Sequence, residues 1–216
     1  MKERKVTVTL SKAREWFNSG NAALREVALQ AFDKTELMSN FTDIKTFQDA
    51  CKALKLDYSV MLSIVNTIKQ ASRASAAMFK LNIIRTALNL GQDLHLTRDP
   101  DDSYIYYPNN HIATKSSTYY ERELNSGEME VIGKIKSEGE EYNVLGGGVG
   151  ISGSAGLGSF TPDDGVGRAN ANFGFLGCAT KEIAQHFGKY FGMLITEAKY
   201  ADVIEDFKII ESKYFI

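Results

Sequence analysis

Cysteine and proline are scarce in this chain of 216 residues, which contains two cysteines and three prolines. Cys51 and Cys178 lie far apart, and neither belongs to a CxxC pair or a Cys/His cluster. This pattern excludes a disulfide scaffold and leaves a structural zinc site without a ligand set. We expect two separate, reduced and partly buried thiols, because an unpaired cysteine packs as a small hydrophobic residue.

Charge of one sign and long apolar runs are also missing. The formal net charge is −2, so no strongly basic surface for nucleic acid is predicted. No apolar run approaches the ~20 residues that span a bilayer, and the first residues lack the apolar centre of a secretion signal. We therefore expect a chain that is soluble, not inserted in a membrane, and made in a cytoplasm.

Signatures of catalysis are absent from the sequence as well. The three histidines, His95, His111 and His186, are scattered, and neither GxSxG nor HExxH occurs. Asp163 and Asp164 are adjacent carboxylates in a turn-like context, where solvent exposure is the simpler interpretation. We expect a protein that is not an enzyme and that needs no cofactor and no metal.

Helical periodicity dominates the first ~95 residues. Ser11 is positioned to cap a first helix that ends at Gly20, Asn21 to cap a second, and Thr46 begins a shorter one. Residues 58–91 contain no proline, and no glycine before Gly91. One face of this long segment is predicted to carry an apolar stripe of Val60, Ile64, Ile68, Ala71, Ala74, Met78, Leu81 and Leu88.

Two interpretations of the stripe remain open. It either packs in the core beneath the first two helices, or contacts copies of itself in an oligomer. The polar "KQASRAS" patch in its middle is a candidate break in the helix.

Short strands and turns follow a change in composition near residues 92–102. "SYIYY" is rich in strand-forming residues, and a hairpin is predicted to turn near Ser137-Glu138-Gly139. A helix over "ATKEIAQHFGKYF" and an apolar run come later. The fold class is therefore α+β, with a helical module in residues 1–95 followed by a mixed domain of short strands, long loops and a helix in residues 103–216.

Glycine is concentrated in residues 145–178, which hold 11 of the 18 glycines. The run 148–153 matches GxGxxG, but a dinucleotide site also needs a helix from the third glycine, and Pro162 with further glycines opposes one. A disordered linker should lack large apolar residues, whereas Leu157, Phe160 and Phe173 recur here. The stretch is therefore predicted to be a folded, mostly exposed surface.

The spacing within this stretch resembles a known family. Gly146-Gly147, then Ala155-Gly156-Leu157, then Gly174-Phe175 are placed as in variable proteins of diversity-generating retroelements. The chain as a whole also resembles proteins encoded in phages and prophages of gut Bacteroidetes. The variable proteins have a C-type-lectin-like fold related to the formylglycine-generating enzymes. The family motif closes on GFR, where this chain has Leu176 in the third position.

The resemblance implies a C-type-lectin-like domain that displays variable side chains on a fixed framework. The framework would include Gly147, Ala155, Leu157, Phe160, Phe173 and Phe175. The implied ligand-binding positions are Gly148, Gly150, Ile151, Ser152, Ser154, Ser159, Thr161, Asp163, Asp164, Arg168, Asn170 and Asn172. Many of them are Gly, Ser, Asn or Asp, which also suits an ordinary structural loop.

The expected function is therefore a non-enzymatic binding protein encoded by a phage or prophage. Its face of about residues 148–172 would recognise a protein or a surface glycan, such as a bacterial surface molecule. The helical module would contact other virion subunits or further copies of the chain. The alternative is a structural virion protein, a decoration or head-fibre component, without a variable site.

Overall fold

The structure of this protein is a computed structural model that describes residues 7–18, 21–37, 41–89, 105–114, 118–152 and 176–214. In these ranges a helical amino-terminal region precedes an antiparallel sheet and a long carboxyl-terminal helix. The predicted α+β class with a helical amino-terminal region is confirmed. Among the described helices, not one combines the length and the apolar character needed to cross a bilayer.

Three short helices come first: α1 (Leu10–Asn18), α2 (Ala22–Ala31) and α3 (Lys34–Leu37). Asn21 caps α2 as predicted, since its side-chain oxygen accepts from the N–H groups of Ala23 and Leu24. The predicted cap at Ser11 is wrong by two residues. The helix begins at Leu10 because Thr9, an equally good capping residue, accepts from the Lys12 N–H at 3.3 Å.

The next helices are α4 (Phe47–Ala53), α5 (Tyr58–Ala71) and α6 (Arg73–Leu88), and a single 3₁₀ turn (Phe41–Asp43) precedes them. The predicted cap of α4 is confirmed as a capping box, in which Thr46 and Asp49 each bind the other's backbone N–H. The predicted break is confirmed at Ser72, whose extended backbone ends α5 while its hydroxyl caps α6.

The break at Ser72 divides the predicted apolar stripe. Leu81 and Leu88 on α6 are buried as expected, but Val60 and Ile64 on α5 are 50% and 37% exposed. Val65 takes the buried position on α5 instead. A single face drawn over residues 60–88 is therefore wrong for its first half, because two helices joined by an extended residue do not keep one helical phase.

The sheet has four antiparallel strands in the order β1-β3-β2-β4, with β1 (Ile105–Ala113), β2 (Glu130–Ser137), β3 (Glu140–Ser152) and β4 (Lys208–Ser212). The predicted hairpin joins β2 to β3. Glu138 and Gly139 turn with φ of 52° and 82°, and Asp206 accepts both of their N–H groups. Positive φ at both central residues matches the twist of the strands they connect.

Helix α7 (Thr118–Asn125) lies between β1 and β2, and α8 (Lys181–Tyr200) follows the glycine-rich stretch. The predicted helix and the apolar run after it form one continuous α8, which Thr180 caps. One side of α8 packs on β1 and β3 and another packs on α6. Such two-sided burial explains why its second half is apolar almost throughout.

One hydrophobic core joins the two halves of the chain. Leu81 and Ile84 of α6 belong to the same buried cluster as Phe187 and Phe191 of α8. The predicted seam at residues 92–102 lies outside the described residues, so the division into domains 1–95 and 103–216 stays a prediction. Buried side chains of α4–α6 and of α8 nevertheless pack together in one cluster.

Candidate functional site

The glycine-rich stretch begins inside β3. Leu145 and residues 148–152 pair with β1, with Val149 opposite Pro108 and Ile151 opposite Tyr106, whereas Gly146 and Gly147 lie at the irregularity in this pairing. Four of the implied ligand-binding positions, 148 and 150–152, therefore lie on a strand. The other eight lie outside the described residues: Ser154, Ser159, Thr161, Asp163, Asp164, Arg168, Asn170 and Asn172. The same holds for five of the framework positions, Ala155, Leu157, Phe160, Phe173 and Phe175.

Close packing explains the three consecutive glycines. A Cβ on Gly146 would lie 2.5 Å from the carbonyl oxygen of Gly188 in α8. Gly147 has a φ of +97°, a backbone angle that residues other than glycine rarely adopt. A Cβ on Gly148 would lie 3.0 Å from the Asn109 oxygen and 3.1 Å from the Met129 side chain. Gly148 is buried, so it does not suit the ligand-binding role predicted for it, whereas Gly147 suits a framework role.

Asn110 joins β1, β3 and α8. It lies at an irregularity of β1, where the pairing register with β3 shifts between Asn109 and His111. Its side-chain nitrogen donates to the carbonyls of Leu145 at 3.3 Å and Gly188 at 3.0 Å. A Cβ on Gly192 would overlap this amide, so the two helix glycines leave the space that it occupies. The start of the glycine-rich stretch is thereby held rigidly against α8.

The far end of the stretch returns to the same strand. Cys178 and Tyr106 exchange both backbone hydrogen bonds, at 2.7 and 3.2 Å. Tyr106 also pairs with Ile151 on the other side of β1. With strands ~4.8 Å apart, Ile151 and Cys178 flank Tyr106 at a separation of about 10 Å.

A second anchor for the returning chain comes from the end of α6. The buried Asn89 amide donates to the Gly177 carbonyl at 3.2 Å and accepts from the Ala179 N–H at 2.9 Å. Leu176 is fully buried in the main core. Burial raises the pKa of the Cys178 thiol to about 12, so it stays protonated and acts as packing rather than as a nucleophile.

A groove lies beside the first two glycines. Its volume is about 390 Å³, and it is lined by residues 127–130, by Gly146 and Gly147, and by Gln185, His186 and Lys189 of α8. Glu130 accepts from Lys189 at 2.9 Å, from the Tyr214 hydroxyl at 2.7 Å and from Lys213. Burial alone would raise the pKa of Glu130, but these hydrogen bonds outweigh it and lower the pKa to about 2.

His186 is buried in the wall of this groove. Its Nε2–H donates to the Ile44 carbonyl at 2.7 Å, and its ring lies 4.5 Å from that of Tyr190. Burial lowers the pKa of His186, so the ring is neutral near pH 7. Of the other histidines, His111 is buried in β1 and His95 lies outside the described residues. Within the described ranges, no three His, Cys, Asp or Glu side chains gather where they could hold a metal.

Sequence reasoning missed the residues of this groove. Glu130, His186 and Lys189 come from segments more than 50 residues apart, and no local motif links them. The one available signal was the pair Gly188 and Gly192 within a helical run, a spacing that permits close backbone approach.

Comparison of the chain with models of protein families, with curated proteins and with solved structures finds no match.

Proposed function

We propose that this chain is a non-enzymatic binding protein whose recognition face is the glycine-rich stretch of about residues 148–172. Gly148 is buried and contributes to the framework, so the exposed part of the face begins beyond it. The target is a protein or a surface glycan. The spacing of Gly146-Gly147, Ala155-Gly156-Leu157 and Gly174-Phe175 supports a phage or prophage origin and a C-type-lectin-like display of variable side chains.

The observation that carries the proposal is the double anchoring around Tyr106. The chain leaves from β3 after Ile151, which lies opposite Tyr106 of β1 in the strand pairing, and it returns at Cys178, which exchanges both backbone hydrogen bonds with the same Tyr106. Buried Asn89 and Leu176 secure the returning end. Binding residues in proteins are commonly carried by connections that a rigid scaffold positions. A scaffold held in this way tolerates changes of sequence between its anchors.

The first test is the DNA around the gene. A reverse transcriptase gene accompanied by a near-copy of the codons for residues 146–178 is the expected finding. Its absence, together with invariance of these codons among isolates, favours the structural virion protein instead.

A second test uses the purified chain. The substitutions Ser159→Tyr, Asp164→Tyr and Asn170→Tyr should each change the free energy of unfolding by less than about 1 kcal/mol, as changes at exposed positions usually do. The control is Leu176→Ala at the buried anchor, where a loss of about 2–5 kcal/mol is expected. Tyrosine variants that unfold as readily as Leu176→Ala would contradict a tolerant recognition face.

The helical amino-terminal region is proposed to attach the chain to other virion subunits or to further copies of itself. Val27 and Leu29 on α2 are 45% and 41% exposed, and Val60 and Ile64 lie exposed on α5. Val60 and Ile64 are four residues apart and therefore share one face of α5, and an exposed apolar face of this kind is typical of a contact surface. The test compares the sedimentation coefficients of the parent chain and of the double variant Val60→Ser/Ile64→Ser. The double variant is expected to form a smaller assembly.

A further inference from the structure

The groove beside Gly146 and Gly147 has features of a binding site that differs from the proposed recognition face. The described residues that line it come from the start of β2 and the loop before it, from two glycines of β3 and from the second and third turns of α8. Its volume of about 390 Å³ is near the lower end of the range of small-molecule pockets, roughly 300–1,000 Å³. A ligand there would be small.

His186 offers this groove a hydrogen-bond acceptor. A carbonyl oxygen can only accept, so the short bond to Ile44 places the ring proton on Nε2. In the neutral ring Nδ1 then carries a lone pair, and it makes no hydrogen bond to any described residue. The Phe41 and Tyr190 rings hold the imidazole in place from two sides. The acceptor is therefore fixed before a ligand arrives.

Charges around the groove are balanced. Glu130 pairs with Lys189 in the lining and with Lys213, which is not part of the lining, and Glu128 supplies a second carboxylate, so the formal charges of these four groups sum to zero. Neither an anion nor a cation gains much from such a site. Gln185 adds an amide that donates and accepts, and the Lys189 ammonium donates. The buried Met129 side chain and the two glycines supply apolar and backbone surface.

We propose that this groove binds an uncharged, hydroxyl-bearing ligand of monosaccharide size. A ligand hydroxyl donates to His186 Nδ1 and other hydroxyls accept from Lys189 and Gln185, while the C–H face lies against Met129 and the glycines. The site uses none of residues 148–172 and so does not rest on the proposed function.

The test is saturation-transfer NMR on the full-length chain with probes matched in ring size. The neutral probes are D-galactose, D-glucose and N-acetyl-D-glucosamine, and the charged probes are D-galacturonate and D-galactosamine. We expect at least one neutral sugar to bind saturably at millimolar concentration and more tightly than both charged sugars. Tighter binding of a charged sugar, or no saturable binding of any neutral one, overturns the proposal.

Variants locate the binding in the groove. His186→Phe keeps an aromatic ring between Phe41 and Tyr190 but has no acceptor, so affinity for the neutral sugar should fall about five- to tenfold. Lys189→Met removes one positive charge and should shift preference toward D-galactosamine. Lys181→Met, an exposed position on the same helix outside the groove, is the matched control and should bind like the parent chain.

A measurement on the parent chain covers the case in which a variant fails to fold. The ¹⁵N resonance of His186 Nδ1 should move when the neutral sugar is added, because the lone pair becomes hydrogen-bonded. An unchanged Nδ1 resonance at saturation, or full affinity in both groove variants, shows that the sugar binds elsewhere and overturns the proposal.

Discussion

Two hydrophobic cores of the described chain differ sharply in what surrounds them. Around Phe187 and Phe191, helices from both halves of the sequence and the returning end of the glycine-rich stretch contribute buried side chains. Around Phe17, the buried residues Ala13, Ala28 and Leu37 all come from α1–α3. The first core joins segments that are distant in sequence, and the second is local.

Size decides how far each core can stand alone. Below about 40 residues, domains usually need disulfides, metals or partner chains to fold stably, and α1–α3 occupy only residues 10–37. The Lys55–Glu36 ion pair at 3.8 Å joins this cluster to the α4–α5 connection, but an exposed pair contributes about 0–1 kcal/mol. Capping residues and helical periodicity favour helices in both regions. Only the core around Phe187 and Phe191 buries enough apolar surface to stabilise them.

The largest expected effect is in the larger core. Phe187 is fully buried, and Phe187→Ala should reduce the free energy of unfolding by about 3–5 kcal/mol through lost burial and a cavity. Denaturant unfolding followed by circular dichroism measures it. Val203→Ala, at a residue that is 78% exposed, is the control and should have little effect. Equal losses in both variants would mean that this core does not dominate stability.

A smaller loss is expected where the sheet meets α8. In Gly146→Ala the new methyl group meets the Gly188 carbonyl, part of a helix backbone that cannot move aside locally, so about 1–3 kcal/mol should be lost. Gly188→Ala is the matched control, because its nearest neighbour, Pro108 Cβ, would lie 3.2 Å away and alanine favours the helix. A Gly188→Ala variant that is less stable than Gly146→Ala would contradict this account of the contact.

Lowering the pH should reduce the stability of the fold through Glu130, which lines the groove beside α8. Its pKa is about 2 in the folded chain and ordinary when unfolded, so the stability that it contributes is present above the unfolded pKa. That contribution is lost as pH falls from about 4.5 toward 2. Thermal unfolding across this window should show a steeper fall for the parent than for Glu130→Gln. Parallel curves would show that Glu130 is not coupled to folding.

The smallest effect on the main transition is expected from the local core. Phe17→Ala should accelerate amide exchange throughout α1–α3, yet move the unfolding midpoint of the remaining chain by less than about 0.5 kcal/mol. Exchange measured by mass spectrometry separates the two regions. A midpoint shift as large as that of Phe187→Ala would show that both cores unfold together, and the contrast between them would be lost.

Local signals in the sequence were sufficient for much of the secondary structure. Asn21 and Thr46 cap helices, Ser72 divides α5 from α6, and Glu138-Gly139 turns the hairpin, all as predicted. The helix caps rest on hydrogen bonds within four residues and the turn rests on the backbone preference of Gly139, which the sequence specifies directly, while Asp206 adds a distant contact to the turn. Ser11 was misjudged because Thr9 competes for the same role.

Tertiary structure decided which apolar residues are buried and what the glycines do. Val60 and Ile64 were predicted to share one apolar stripe with Leu81 and Leu88, covered either within the chain or by further copies of it, but α8 covers α6 and leaves Val60 and Ile64 exposed. Gly146, Gly188 and Gly192 permit a strand and a helix to touch around Asn110, and the groove of Glu130, His186 and Lys189 forms beside that contact. The sequence by itself determined most of the longer helices, the hairpin and the α+β class, but not the short helices α3 and α7. Contacts between residues tens of positions apart determined the rest, since periodicity shows that a face is apolar but not which element will cover it.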